Sequence, residues 1–217
     1  MNKHDLVYNL KYKSWKTVKI WPDSTVYILG GGPSLNITNL DLIKDKHVIG
    51  VNNAYKLGDW VDVCWFSDTR WFTWHQEALR NFAGLKAHCS AVKSPFVKRL
   101  LRSKNKLGID KNPRYVCWNM HSGGSAINFA YHLGAKRVIL LGFDMKKIDI
   151  SEKLRSNWHE DHPSPDKKNP YNKFLESFSF IKKDADNLGL EILNATPDSV
   201  ITDFKFVKLE EVYAKYD

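Results

Sequence analysis

The segment VYILGGGPSL, Val26 to Leu35, constrains the fold more than any other: four apolar residues run unbroken into three glycines, and a proline and a serine then open a helical start. A stretch that is apolar on consecutive positions is buried on both faces, as in the parallel sheet of a β–α protein. At the carboxyl end of such a strand, backbone N–H groups point at the phosphate or sugar of a nucleotide. Glycine serves a plain tight turn equally well, because it accepts positive φ without a Cβ penalty. GGGPS has neither the spacing of G-x-G-x-x-G nor the lysine of a P-loop, so Gly30, Gly31 and Gly32 are candidates for nucleotide contact by position alone.

Short apolar runs alternate with helix-length amphipathic segments along the rest of the chain, which predicts repeated β–α units. Strands are expected at Val26–Leu29, His47–Val51, Val61–Phe66, Leu85–Cys89, Arg114–Cys117, Arg137–Leu141 and Glu191–Asn194. Helices are expected at Arg70–Asn81, Ser122–Leu133 and Tyr171–Leu188, with Gly134 and Gly189 at helix stops. The reading is one α/β domain over residues 23–217, a mainly parallel sheet of about seven strands flanked by helices. A basic N-terminal arm, 1–22, precedes it. From about 145 to 170 the chain turns polar, and Pro163, Pro165 and Pro170 break any helix. That stretch follows a strand's carboxyl end and reads as a ligand loop.

The formal charge of +9 favours anionic partners: phosphorylated donors, acidic glycans or nucleic acid. Much of it falls between residues 93 and 114, as Lys93, Lys98, Arg99, Arg102, Lys104, Lys106, Lys111 and Arg114. That segment is either a solvated basic loop or a nucleic-acid surface. Cys64, Cys89 and Cys117 lie far apart in strand-like runs, which predicts buried free thiols. With neither a signal-peptide pattern nor a run of roughly 20 apolar residues, the expectation is a cytoplasmic protein with no membrane span.

Several residues at expected strand ends carry chemistry. Asn52 and Asn53 in GVNNAY can read a base edge or a ribose, or cap the strand in an Asx turn. WFSD offers Ser67 and Asp68, the latter also a helix N-cap. Ser122 and Gly123 open a helix whose free N–H groups favour an anion, and Ser122 can equally be an ordinary cap. Asp144 closes RVILLGFDM at the same rim. NWHEDHPSP is the most loaded segment: His159 or His162 suits a general base, with Asp161 beside them as a catalytic candidate. H-E-D-H lacks zinc-protease spacing, whereas magnesium through Glu160 or Asp161 and a phosphate is chemically open. Trp65, Phe66, Trp71, Phe72 and Trp74 are either core or a stacking platform.

Together, VYILGGGPSL, GVNNAY, DVCWFSD, HSGGSAINFAYHLGAKRVILLGFDM, NWHEDHPS and LEILNATPDSVITDF resemble the bacterial sialyltransferases of glycosyltransferase family 42. More distantly, they resemble the MptE-like proteins of the domain-of-unknown-function 115 group. The resemblance implies a Rossmann-like GT-A variant, a CMP-sugar or related nucleotide-sugar donor, and metal-independent inverting transfer to a glycan or other anionic acceptor. It also implies His162 as the base, with Asn52, Ser122 and Gly123 on the donor. Gly31 and Ser67 stand where that family has asparagines, and Met145 to Asn157 lacks its lid tyrosines. Lys146, Lys147, Lys153 and Arg155 are candidates to neutralise the leaving phosphate instead. The chain also lacks an extended basic amphipathic C-terminal region for membrane attachment. The MptE-like side implies a different chemistry, a magnesium-dependent diphosphokinase acting on a pterin alcohol. A third reading is a non-catalytic nucleotide- or nucleic-acid-binding module, and a homo-oligomer is compatible with each.

Overall fold

The computed structural model of the chain describes residues 6–9, 14–150, 153–160 and 171–216. In chain order the strands are β1 Leu6–Asn9, β2 Ser14–Thr17, β3 Thr25–Leu29, β4 His47–Val51, β5 Val63–Phe66, β6 Leu85–His88 and β7 Lys98–Arg99. They continue with β8 Leu101–Arg102, β9 Tyr115–Val116, β10 Arg137–Leu141, β11 Ile148–Ile150, β12 Lys153–Arg155, β13 Glu191–Asn194 and β14 Lys205–Phe206. The α-helices are α1 Thr69–Asn81, α2 Ser122–Leu133, α3 Tyr171–Leu188 and α4 Leu209–Tyr216.

Eight strands form one sheet in the order β14-β13-β10-β3-β4-β5-β6-β7. Every pairing in it is parallel. The chain enters at β3, builds outward through β4 to β7, then returns to the other side of β3 for β10, β13 and β14. Strand order therefore reverses between β3 and β10, and a crevice opens there at the carboxyl ends. This is the expected Rossmann-like architecture.

The period-2 alternation of each strand feeds two cores. Val26, Ile28, Ile49, Val138 and Leu140 pack with Ile127, Phe129 and Leu133 of α2 and Phe178 and Ile181 of α3. Tyr27, Leu29, Val48, Ile139 and Leu141 face the opposite layer, Trp71, Phe72 and Leu79 of α1 and Leu209 and Val212 of α4. Helix α2 is buried nearly all round, which accounts for its small and apolar composition, and it ends at Gly134 with φ 105°.

The differences from expectation have local causes. Tyr115–Val116 pairs with Leu101–Arg102 in a separate two-stranded ladder and does not join the main sheet. The sheet instead gains two-residue edge strands, β7 and β14, too short to leave a periodic signal. After the glycine turn the chain forms a 3-10 turn, Pro33–Ile37, with no α-helix. The aromatic residues Trp65, Phe66, Trp71 and Phe72 are core, while Trp74 is 42% exposed. All three cysteines are buried and free. Thr17 bonds the Pro113 carbonyl and Trp21 bonds that of Leu133, so residues 14–21 lie against the sheet's flank.

Candidate functional site

A cleft of about 610 Å³ lies over the carboxyl ends of β10, β3, β4 and β5. Gly30–Gly32 line it from the end of β3, Asn52 from β4, Ser67 and Asp68 from β5, and Gly142–Lys146 from β10. Met120–Gly123 at the start of α2, Ser156 and Asn157, and Tyr171 and Phe174 of α3 complete the wall. The fold thus gathers most of the sequence candidates into one space. His159, Asn53, Lys147 and Arg155 do not line it. Asp161 and His162 lie outside the described residues.

Gly30 and Gly32 are required by contact, and not by the positive φ that glycine permits, since none of the three glycines has it. A Cβ on Gly30 would sit 2.4 Å from the Gly142 carbonyl oxygen, and one on Gly32 would sit 1.6 Å from Asp144 Oδ2. Two strand ends, β3 and β10, therefore meet without side chains between them. Asp144 locks the junction: it accepts from the Ser34 backbone N–H at 3.1 Å and from the Ser34 hydroxyl at 2.8 Å. It is 1% exposed, and burial pushes its carboxyl above the usual range against the pull of those bonds. Asp144 is thus both wall and latch.

Asn52 has φ 52°, and its Oδ1 is buried with no hydrogen-bond partner among the described residues. A buried acceptor left unpaired costs about 1–3 kcal/mol, so an acceptor in the wall of an open cleft points to a ligand that donates to it. Met120 and Met145, also in the wall, have φ 62° and 52°, and Asn119 beneath them has φ 54°. Left-handed backbone at non-glycine residues clusters where a site over-determines its geometry. Asn119 supplies that determination: its side chain accepts from Gly108 N–H and donates to the carbonyls of Gly108, Cys117 and Gly124.

The N-cap of α2 is His121, so Ser122 does not take the alternative role of an ordinary cap. Its Nδ1 accepts from Gly124 N–H at 3.1 Å, so in the neutral ring Nε2 carries the proton and faces Ser177 Oγ at 3.2 Å. Ser177 in turn donates to the Phe174 carbonyl. Burial lowers the His121 pKa to about 3. Ser122 is released from capping and reaches across to β5: its hydroxyl accepts from Ser67 N–H at 3.1 Å and lies 2.7 Å from Ser67 Oγ. Asp68 caps α1 through Arg70 N–H and pairs with the Arg70 guanidinium.

The segment leading to His159 is pinned over the glycine turn. Trp158 N–H donates to the Gly31 carbonyl, and Asn36 donates to that of Trp158. Below it, Trp71 Nε1–H donates to Asn53 Oδ1 at 2.6 Å, and Asn53 Nδ2 faces His159 Nδ1 at 3.3 Å. An indole N–H only donates, which fixes the Asn53 amide and makes His159 Nδ1 the acceptor. Arg155 pairs with Glu160. Of the phosphate-neutralising candidates Lys146 lines the cleft, whereas Lys147 and Arg155 do not.

Cationic Arg70 and Arg102 and aromatic Trp118, Tyr171 and Phe174 complete the wall beyond the motif residues. Arg70 lies two residues after WFSD, and Arg102 belongs to the basic segment, so each carries a weak signal. No group of three or more His, Cys, Asp or Glu side chains suited to a metal occurs among the described residues. No described helix is long and apolar enough to cross a membrane.

No protein-family model matches the chain, and no curated protein matches it in sequence. Among solved structures it is similar to the Maf glycosyltransferase of Magnetospirillum magneticum AMB-1, at 11% identity and a TM-score of 0.58. That match covers 88% of this chain and 35% of the other, so the chain spans about a third of that enzyme's length. It is also similar to the sialyltransferase CstII of Campylobacter jejuni, solved in complex with the substrate analogue cytidine-5'-monophosphate, at 14% identity and a TM-score of 0.51. That match covers 86% of this chain and 85% of the other. The chain shares with these two glycosyltransferases a Rossmann-like α/β fold built on a mostly parallel sheet.

Proposed function

We propose that this protein is a glycosyltransferase that holds a nucleotide-sugar donor across the carboxyl ends of β3, β4 and β5. The observation that carries the reading is Asn52 Oδ1, which has no partner among the described residues, beside the glycine turn in a cleft at the point where strand order reverses. A ribose hydroxyl or a base amine supplies the missing donor. Gly30–Gly32 line the cleft with backbone, Ser122 and Gly123 present the start of α2 to an anion, and Lys146 stands to take charge from the leaving phosphate. The fold shared with two glycosyltransferases supports the class, and the CMP bound to one of them makes cytidine nucleotides the first donors to try.

In the proposed step the acceptor hydroxyl oxygen bonds to the anomeric carbon as the bond from that carbon to the phosphate oxygen breaks. The phosphate keeps the electron pair, the anomeric centre inverts, and a histidine takes the hydroxyl proton. His162 is the candidate base by the resemblance to the family 42 sialyltransferases, while His159 accepts a hydrogen bond from Asn53 through Nδ1. Such a base supplies roughly 10²–10⁴ in rate.

A thermal-shift panel of CMP, UDP, GDP, ADP and ATP, each with magnesium and with EDTA, tests the reading. A ligand at one hundred times its Kd adds about 2.7 kcal/mol, which raises Tm by roughly 5–10 °C in a domain of this size. A metal-independent rise with CMP is expected. A rise with ATP alone that needs magnesium would replace this reading with the diphosphokinase.

A further inference from the structure

The basic segment does not remain a solvated loop throughout. Lys98 lies over the Trp15 ring at 3.6 Å and Arg99 is half-buried, whereas Arg102, although exposed, lines the cleft. Its Nε donates to the Cys89 carbonyl at 2.8 Å and its Nη2 to the Ser67 carbonyl at 2.8 Å, which bridges the ends of β6 and β5. The guanidinium also lies on Trp118, 4.4 Å from the ring centroid. Two neutral carbonyls and an indole fix the position of the group and leave its charge uncompensated. Among the described residues no carboxylate pairs with it, since Asp68 is engaged by Arg70 and Asp144 by Ser34.

A guanidinium has five N–H groups, and the two carbonyls occupy two of them, so a fork of donors remains for the cleft. A lysine would have sufficed as a diffuse charge. A planar, pre-oriented fork suits an oxyanion, and its geometry is set before the ligand arrives, which reduces the ordering cost of binding. Lys146 follows β10, whereas Arg102 is tied to the end of β5, three places away in the sheet. At about 4.8 Å per strand that is roughly 14 Å, so the two cations serve different parts of one ligand or two different ligands.

We propose that Arg102, seated on Trp118, is a specificity-determining residue that binds an oxyanion of the substrate, carboxylate or phosphate, at the β5–β6 end of the cleft. The proposal rests on the nucleotide-sugar reading only for the identity of the molecule that carries the oxyanion.

Side-chain NMR tests it. The Arg102 Nε–H, held by Cys89, and the Trp118 indole N–H are followed while inorganic phosphate or acetate is added at constant ionic strength. Both signals are expected to shift saturably with one of the two anions: phosphate identifies a phosphoryl group, acetate a carboxylate. In Arg102→Gln the Trp118 shift is expected to vanish, and in Arg102→Lys, which keeps the charge, the midpoint is expected to rise at least tenfold. No saturable shift with either anion, or an unchanged Trp118 response in Arg102→Gln, overturns the proposal. Cytidine and CMP are then titrated as probes of the nucleotide reading. A wild-type response to anions with none to either nucleotide keeps Arg102 as an oxyanion site and removes only the nucleotide donor. CMP binding of equal affinity in wild type and Arg102→Gln, with no anion response, removes Arg102 alone.

Discussion

Trp71, Asn53 and His159 form a hydrogen-bond chain that can run in one direction only, because the indole at its head has nothing to accept with. His159 is therefore expected as the neutral ring with its proton on Nε2. Long-range ¹H–¹⁵N correlation spectra should show Nδ1 unprotonated in the wild type, and Asn53→Ala should mix the two tautomers. Finding the proton on Nδ1 would remove His159 from this positioning role. A second residue-scale expectation concerns Gly32. Alanine there drives a methyl into Asp144 Oδ2, so Gly32→Ala should cost roughly 2–3 kcal/mol in urea unfolding and weaken nucleotide binding as well. The sequence identified Gly32, Asn52, Ser122 and Asp144 as rim residues, because strand ends and glycine turns are local patterns. It did not reveal that Asp144 latches Ser34 or that His121 caps α2. Those roles depend on which distant side chain arrives opposite, and no local pattern records that.

The elements most visible in the sequence were those with long periodic runs: α2, α3, β4, β10 and β13 lie where the pattern placed them. The two-residue strands leave no periodic signal, and of the expected strand Arg114–Cys117 only Tyr115–Val116 forms, outside the main sheet, because a short apolar run says nothing about its partner. Helix α2 depends on the turn before it, where Asn119 holds φ 54° with four hydrogen bonds. Asn119→Ala should lose those bonds and add left-handed strain, about 2–4 kcal/mol together. Asn119→Gly loses the same bonds without the strain and should be about 1 kcal/mol less damaging. Equal losses in chemical denaturation would mean that the turn is not strained.

Across the whole molecule, burial depresses the pKa values of four histidines: His47, His132, and His88 and His121, the last two to about 3. Between their ordinary pKa near 6.5 and those lowered values the unfolded chain binds more protons than the folded one. Their contribution to stability is therefore full above about pH 6.5 and is lost as pH falls; for the deeply buried His88 and His121 the loss continues toward pH 3, at up to about 1.4 kcal/mol per pH unit each. Asp62 and Asp144, raised by burial, act in the opposite sense above their ordinary values and blunt the slope. Urea midpoints measured from pH 7 to pH 4 should fall, and His121→Asn, which can still cap a helix, should fall less steeply. A flat profile would mean that these rings are solvated. The strand order carries a consequence for synthesis as well. Partners β3 and β10 are separated by 112 residues in the register that joins Thr25 and Arg137. Until residue 141 has left the ribosome, β3, whose last four residues are all buried in the finished sheet, presents a bare edge, and a nascent chain stalled before that point exposes an open template for aggregation.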